Sequence, residues 1–388
     1  MNFTTDISVL LLFHARPDHF AKVWAEVRRA RPARLFLYQD GPRPVDTQGR
    51  HVDNPELSKD WPGIIACREL VSDDNIDWQC TVKRLYQERN YGCDPSEFIS
   101  QRWAFSMTDK CIVLEDDDVP SQSFFPFCKE MLDRYEHDPR ITLISGFMTE
   151  EMQSGNPSSP FKGDREGPSS PSSPSSPFKG DREGLPSYFF SRTFSIWGWA
   201  SWSRVVNSWD GNYNFVHDPA QWAELQQKAA RYRQRREMLT LCQQHAAEGK
   251  EYYETIFWAY LMLHDGLAIF PRVNLINNIG LDGGTHYSTQ LSLQPKRLRW
   301  QFEMPRHELS FPLRHPADVV EDPDYQRLVY LRNAWNNPCR KVQYSLEELW
   351  LNLRAGNLRT ILRAIRARIR KNLPRPLHAR ACSLLRTK

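Results

Sequence analysis

The sequence lacks the features that mark secreted, membrane-spanning or zinc-binding proteins. No apolar run approaches the 18 or so residues needed to cross a bilayer, and the run at residues 9–13 is too short for a signal peptide. The first residues carry no basic cluster of the kind that begins such a peptide. The eight cysteines include no CxxC pair, which argues against a zinc ribbon and suits reduced thiols. We therefore expect a cytoplasmic protein.

Acidic residues are absent from the last part of the chain. Residues 354–388 contain eleven Lys or Arg, and subtracting these from the total of +4 leaves −7 for residues 1–353. Apolar positions recur there at helical spacing between arginines, which predicts a basic amphipathic helix on an anionic membrane surface. A solvated helix on its own domain or a partner-binding helix would give the same pattern. The acidic body and the lack of any nucleic-acid-binding motif argue against nucleic acid as a partner.

The most informative feature present is a run of four carboxylates, Glu115-Asp116-Asp117-Asp118. It follows the apolar run at residues 111–114 and precedes Val119-Pro120, so it lies at the end of a predicted buried strand. Four like charges repel one another unless a cation or hydrogen bonds hold them. Mg²⁺ and Mn²⁺ take carboxylates together with substrate phosphates. The run predicts a metal–diphosphate site, with a solvated acidic turn as the alternative.

Strand-like and helix-like segments alternate along the chain. The first 150 residues predict strands over residues 7–13, 35–38, 111–114 and 141–145, another near residues 80–85, and helices over residues 17–31, 95–107 and 123–137. Further on, residues 219–248 and 251–264 read as helices and residues 267–270 as a strand. Such alternation predicts an α/β fold with a mostly parallel sheet.

One internal segment interrupts this pattern. Residues 157–167 read PSSPFKGDREG, and residues 174–184 repeat the same eleven letters. A stretch rich in Pro, Ser and Gly has too few apolar side chains to bury a core. We therefore predict that residues 151–187 form a disordered surface insertion between two parts of one domain.

Two later segments have ambiguous patterns. Residues 196–202 read IWGWASW, and tryptophans at this density either stack on sugars or fill a core. By themselves these residues favour the core. Residues 280–286 form a Gly-rich turn, and such turns bring backbone N–H groups to an anion.

Taken in order, the motifs resemble those of the GT-A nucleotide-diphospho-sugar glycosyltransferases. The similarity is greatest to a bacterial, family-two-like group known as "hemolytic protein-like", and it extends more distantly to N-acetylglucosaminyltransferase I of the eukaryotic N-glycan pathway. It covers residues 7–150 and 187–290. The motifs are ARPDH (15–19), DGPR (40–43), ERNYGC (88–93), VLEDDDVPSQSFFPFC (113–128), SIWGWASW (195–202), and PRVNLINNIG with GGTH (271–286).

This resemblance implies a GT-A fold, a mixed and mostly parallel sheet flanked by helices. Residues 1–150 would form the nucleotide-sugar-binding half and residues 188–290 the acceptor and catalytic half. Residues 291–388 would form a C-terminal helical extension.

The resemblance also implies roles for the donor-site residues. Arg16 and Asp40 would hold the uracil base. Glu115 and Asp116 would contact the sugar, ribose or diphosphate of the donor. Asp117 would coordinate Mn²⁺ or Mg²⁺. The role of Asp118 stays open, because many relatives lack this acid.

Two further groups would complete the site. Trp197, Gly198 and Trp199 would line the donor-sugar and acceptor pocket. Thr285 and His286 would lie in the turn that closes over the diphosphate.

The catalytic base is the point at which this chain departs from the family pattern. An inverting transfer needs a carboxylate within hydrogen-bond reach of the acceptor hydroxyl. The acid of the relatives falls on Thr255 here, and Glu254 precedes it. We predict Glu254 as the base. The alternatives are Glu251, Asp210 and Asp282.

The expected function is metal-dependent transfer of a sugar from a nucleotide-diphospho-sugar, with a UDP-sugar as the expected donor, to a surface glycan. The acceptor would be a glycan of the lipopolysaccharide, capsule or exopolysaccharide kind, or a lipid-linked glycan at the inner face of the plasma membrane. Two alternatives are a non-catalytic protein that binds nucleotide-sugars or glycans and a metal-dependent phosphoryl-transfer hydrolase. The second would leave sugar phosphate, whereas a transferase leaves UDP.

Overall fold

The computed structural model describes residues 5–148, 185–232, 236–281, 291–332, 338–359, 361–363 and 365–366. The duplicated segment, Asp282, Thr285 and His286 lie outside the described residues, so the predictions made for them stay predictions.

Ten strands occur within these ranges. They are β1 (Thr5–Phe13), β2 (Pro32–Gln39), β3 (Thr81–Tyr86), β4 (Lys110–Glu115), β5 (Asp118–Pro120), β6 (Ile141–Ser145), β7 (Tyr188–Ser191), β8 (Trp199–Trp202), β9 (Leu267–Pro271) and β10 (Ile276–Asn278).

The described helices flank and follow these strands. They are α1 (Pro17–Ala30), α2 (Trp61–Leu70), α3 (Cys93–Phe105), α4 (Phe124–Arg134), α5 (Ser203–Val206), α6 (Asn214–His217), α7 (Pro219–Arg231), α8 (Arg236–Glu248), α9 (Tyr253–Leu263), α10 (Lys296–Glu303), α11 (Pro323–Arg332) and α12 (Pro338–Arg354). None of the described helices combines the length and the hydropathy needed to cross a membrane.

Eight of the strands form one mixed sheet in the order β3-β2-β1-β4-β8-β6-β9-β7. The pairings β3–β2, β2–β1, β1–β4 and β6–β9 are parallel, and those of β8 with β4 and β6 and of β7 with β9 are antiparallel. The prediction of an α/β fold with a mixed, mostly parallel sheet flanked by helices is confirmed. Strands from both sides of residues 151–187 share this sheet, while the domain boundaries themselves stay predictions.

The buried centre of the sheet explains why its central strands are mostly apolar. Residues 7–13 of β1 and residues 111–114 of β4 are all buried, as expected for central parallel strands that are covered on both faces. α1 buries Phe20, Val23, Trp24 and Val27, which recur at helical spacing on one face. Phe20 stacks on Phe13 at 4.3 Å between ring centroids, and this contact fixes α1 just beyond the end of β1.

Because β1, β2 and β4 are parallel, their carboxyl ends lie at the same edge of the sheet. β1, β2 and β4 all end there, at Phe13, Gln39 and Glu115. The small antiparallel pair of β5 and β10 follows the acidic turn at the same end of β4. Ligands of open α/β sheets bind beyond the carboxyl ends of the strands, so this edge is where a site is expected.

Candidate functional site

The acidic turn is built by the end of β4 and the start of β5. Glu115 is the last residue of β4 and pairs with Leu12 of β1. Asp116 and Asp117 form the turn, and Asp118 begins β5. All three aspartates are buried, with at most 8% of their surface exposed. The solvated acidic turn considered above is therefore wrong for these three side chains.

Arg16 is the cation that contacts this turn. Its Nη2 donates to Asp117 Oδ2 at 2.8 Å and also contacts Asp116 Oδ1, and its Nε lies 3.4 Å from Asp116 Oδ2. Burial alone would lower the pKa of Arg16, but the two carboxylates outweigh it and the pKa is raised. Burial raises the pKa of Asp116 even though Arg16 opposes that shift. Arg16, which was predicted to hold the uracil base, thus contacts the acidic turn in this structure.

Asp118 has a structural position that the sequence left open. Its Oδ2 accepts from the Gly198 backbone N–H at 2.9 Å, and its Oδ1 accepts from Asn278 Nδ2 at 3.0 Å. Asn278 Nδ2 also reaches Asp117 Oδ1 at 3.2 Å. A Cβ on Gly280 would overlap Asp117 Oδ2. The acidic turn is therefore held by the segment before β8 and by the end of β10.

A further carboxylate, Glu97, lies beside the turn, and no pattern in the sequence indicated it. Burial and the nearby Glu97 of α3 raise the pKa of Glu115 well above its usual range. Burial and Asp94 raise the pKa of Glu97 in the same way, with Glu254 and Asp117 adding to the effect. Glu97 Oε1 accepts a weak hydrogen bond from Cys93 Sγ at 3.5 Å. Five carboxylates, at positions 97 and 115–118, thus share this region with the guanidinium of Arg16.

Tyr253 adds a buried polar atom to this group. Its side chain is 2% exposed, and its hydroxyl has no hydrogen-bond partner among the described residues. Burial raises its pKa, with Glu97, Glu115 and Glu254 as the nearest charged contributors. Tyr253 therefore places a buried hydroxyl of α9 near these carboxylates.

The carboxylate oxygens of the acidic turn could hold a divalent cation together with oxygens of a substrate. No cluster of three or more His, Cys, Asp or Glu side chains within the described residues is arranged to hold a metal by itself. Asp117 Oδ2 is contacted by Arg16, and Asp117 Oδ1 only by the longer bond from Asn278. One or two carboxylates completed by phosphate oxygens are what Mg²⁺ and Mn²⁺ use in such sites, and the excess of buried negative charge favours a cation there.

Asp40 organises the loop between β3 and α3. Its carboxylate accepts from the backbone N–H groups of Gly41, Tyr91 and Gly92 and from Asn90 Nδ2, all within 3.0 Å. Burial raises the pKa of Asp40 although these donors oppose the shift. The DGPR and ERNYGC motifs therefore meet in space, and Asp40 is what joins them.

The three residues of the WGW segment separate into different environments. Trp199 is 1% exposed and lies in the core, with ring centroids of Phe105, Trp209 and Tyr253 at 6.3–6.5 Å. Trp197 is half-buried and packs on Phe147 and Phe302. Gly198 has φ +63° and donates to Asp118. Of the two indoles, only that of Trp197 has appreciable exposed surface.

The residues considered for the base also differ in environment. Glu254 is exposed in the first turn of α9. Thr255 is buried and bonded to Tyr213 Oη and His245 Nδ1, so its hydroxyl faces the protein. Asp210 accepts from Asn212 N and Asn214 Nδ2 and holds a local turn. Glu254 is therefore the candidate that combines an exposed carboxylate with proximity to Glu97.

Comparisons with known proteins give distant structural similarity only. No protein-family model and no curated protein matches the sequence. One similar solved structure is a putative glucose-1-phosphate thymidylyltransferase from Bacillus anthracis in complex with a sucrose, at 10% identity and a TM-score of 0.22 over 36% of this chain. Another is mouse xyloside xylosyltransferase 1, apo form, at 14% identity and a TM-score of 0.32 over 68% of this chain and 84% of that one.

The chain matches about half, 53%, of the length of the thymidylyltransferase. Both similarities are too distant to assign an activity. The functional proposal below therefore rests on the side chains of this protein.

Proposed function

We propose that this protein is a GT-A glycosyltransferase that transfers a sugar from a nucleotide-diphospho-sugar, a UDP-sugar in the first instance, to a glycan acceptor. The observation that carries the proposal is the group of five carboxylates at and beside the carboxyl end of β4, two of which, Asp116 and Asp117, are contacted by the Arg16 guanidinium. A group with this charge favours a divalent cation, and a cation held by few protein ligands leaves positions for a diphosphate.

The bond-breaking step needs stabilisation of the leaving diphosphate. The C1–O bond of the donor sugar breaks, its electron pair stays on the diphosphate, and a new bond forms between C1 and the acceptor oxygen. A divalent metal held by Asp117 would act as the Lewis acid on the diphosphate. Arg16 is positioned to exchange its contact with Asp117 for one with a phosphate, where a bidentate guanidinium contact is favourable.

The acceptor side requires a base and a sugar-binding surface. Glu254 would take the proton of the acceptor hydroxyl as the new bond forms, which predicts inversion at C1. The exposed part of the Trp197 indole would contact a sugar ring. The acceptor would be a surface glycan or its lipid-linked precursor, at the cytoplasmic face of the membrane.

The donor site is tested by measuring thermal stability with UDP-sugars in Mn²⁺ or in EDTA. We expect one UDP-sugar to raise the melting temperature only with Mn²⁺, and slow release of UDP in the absence of acceptor. Asp117→Ala should abolish both effects. The matched control is Asp53→Ala, because the Asp53 side chain is 99% exposed and pairs with the exposed His51.

Each other outcome points to a different function. Metal-dependent binding without UDP release even when glycan acceptors are supplied would identify a binding protein. Release of sugar phosphate would identify a hydrolase that cleaves the phosphate bridge. If no nucleotide-sugar changes the melting temperature, either with Mn²⁺ or with EDTA, the proposal is wrong.

A further inference from the structure

An exposed apolar stripe runs along α12, a helix that the sequence did not single out. Val342, Leu346, Leu349, Trp350 and Leu353 are each 39–60% exposed. At about 100° per residue they fall within a sector about 100° wide, which is the apolar face of an amphipathic helix. We call these five residues the α12 stripe.

The pattern continues beyond α12. Gly356, with φ +72°, ends the helix, and residues 358–359, 361–363 and 365–366 are helical again. Leu358, Leu362 and Ile365 are 47–60% exposed there, and Arg359, Arg363 and Arg366 are exposed beside them at the same spacing. Eight of the fourteen large hydrophobic side chains recorded as exposed in the described residues therefore lie between positions 342 and 365. Such a concentration marks an interaction surface.

The opposite side of α12 is attached to the protein. Glu347 Oε1 accepts from the Lys296 backbone N–H at 2.8 Å, and Asn352 is only 7% exposed, so this side of the helix is covered. α12 is thus held by its polar side against the start of α10, while the stripe faces away from these contacts.

We propose that the α12 stripe and the arginine-flanked segment after it dock the protein on an anionic phospholipid bilayer. This deepens the acceptor side of the proposed function, since it would bring the donor site to lipid-linked glycans, but its test needs no donor. Leu and Trp side chains enter the boundary between headgroups and acyl chains, and the Arg354 guanidinium lies over the Trp350 ring at 5.4 Å, a pair suited to that boundary.

Charge favours a bilayer over a second copy of the chain as the occupant. Residues 354–388 carry eleven positive charges and no negative ones. Two copies that met through the stripe would bring these like charges together, whereas an anionic leaflet offsets them. Each Lys or Arg near such a leaflet adds favourable binding energy that salt weakens.

The test is flotation of the full-length protein with vesicles of phosphatidylcholine alone or mixed with phosphatidylglycerol. We expect binding to the mixed vesicles, weakened by salt. Leu346→Gln with Leu353→Gln should weaken it at least about tenfold, because the two side chains lose their apolar burial in the bilayer. Arg359→Gln, Arg363→Gln and Arg366→Gln together should weaken it by a similar factor.

The matched control is Leu57→Gln with Val320→Gln, since these side chains are 62% and 65% exposed outside the segment. It should bind like the parent protein, as should Asp117→Ala, which would separate membrane docking from donor binding. Absence of binding to the mixed vesicles, or equal binding by the stripe variant, would overturn the proposal. So would light scattering that shows a dimer which the stripe variant converts to a monomer without any vesicle binding.

Discussion

Arg16 is the residue on which the electrostatics of the acidic turn, the proposed donor site, depend. It contacts Asp116 and Asp117 and thereby compensates part of a charge that five neighbouring carboxylates create. A donor complex brings two opposing changes, the negative diphosphate and the positive metal. Arg16 would suit the protein both without and with a donor, since its guanidinium can leave one carboxylate and bind a phosphate oxygen.

The role of Glu254 can be tested by substitution. If it is the base, Glu254→Gln removes proton transfer and leaves donor binding unchanged. We expect UDP release to slow about 10²–10⁴-fold, the usual contribution of general base catalysis, with an unaltered melting-temperature shift by the donor. The measurement is UDP release over time at saturating UDP-sugar and Mn²⁺.

Glu251→Gln serves as the control for this substitution, because Glu251 lies three residues earlier and outside α9. It should release UDP at close to the parental rate. If Glu254→Gln is nearly as active as the parent and Glu97→Gln is slow, the base is Glu97 and the prediction fails.

Among the elements, the short strand β8 does most to shape the site. It inserts antiparallel between β4 and β6, and its first residue follows directly on Gly198, which donates to Asp118. A Cβ on Gly198 would overlap Ile276 Cδ1. The glycine is therefore required both by its positive φ and by the close approach of β10.

Substitution of Gly198 and of a control glycine separates the cost of the positive φ from the cost of the overlap with Ile276. Gly198→Ala should destabilise the protein by about 1–2 kcal/mol for the left-handed conformation and by a further 1–3 kcal/mol for the overlap. Gly49→Ala is the control, since Gly49 has φ +79° and nothing within 4 Å of its built Cβ, and it should show only the first cost. Urea denaturation measures both. Equal losses in the two variants would mean that Ile276 moves aside freely.

The elements also show what sequence alone could predict. β1 and β4 contain continuous apolar runs, at residues 9–13 and 111–114, which made them visible in the sequence. The prediction for residues 141–145 matches β6. The strands β7 and β8 were not predicted as strands, because each is only four residues long and buried on both faces, so neither shows alternation. α12 was not predicted, although its apolar positions recur at helical spacing in the sequence.

The candidate site likewise contains residues that the sequence could indicate and residues that only the fold brings together. The acidic turn was visible because its four carboxylates are adjacent in sequence. Glu97 was not, since only the packing of α3 beside the end of β4 brings it to Glu115. The two tryptophans of the WGW segment also differ in environment. Trp199 lies in the core, whereas Trp197 is partly exposed.

At the scale of the whole molecule, the carboxylate group couples stability to pH. Burial, followed by neighbouring carboxylates, raises the pKa of Glu97 well above its usual range. A carboxyl with a raised pKa in the folded state keeps its proton after the unfolded chain has lost its own. Its contribution to stability is therefore complete below the unfolded pKa of about 4.3 and is lost as pH rises towards the folded pKa.

Glu97→Gln removes this loss, because glutamine is neutral at every pH and can still accept from Cys93. We expect the free energy of unfolding of the variant to rise relative to the parent as pH increases from about 5 to about 8, with a limiting slope of about 1.4 kcal/mol per pH unit. Urea denaturation in EDTA at several pH values measures the difference. Mn²⁺ should shrink it, since a bound cation favours the ionised carboxylates of the parent. Parallel stability curves for the two proteins in EDTA would show that the pKa of Glu97 is not raised in the folded state, and the prediction would then be wrong.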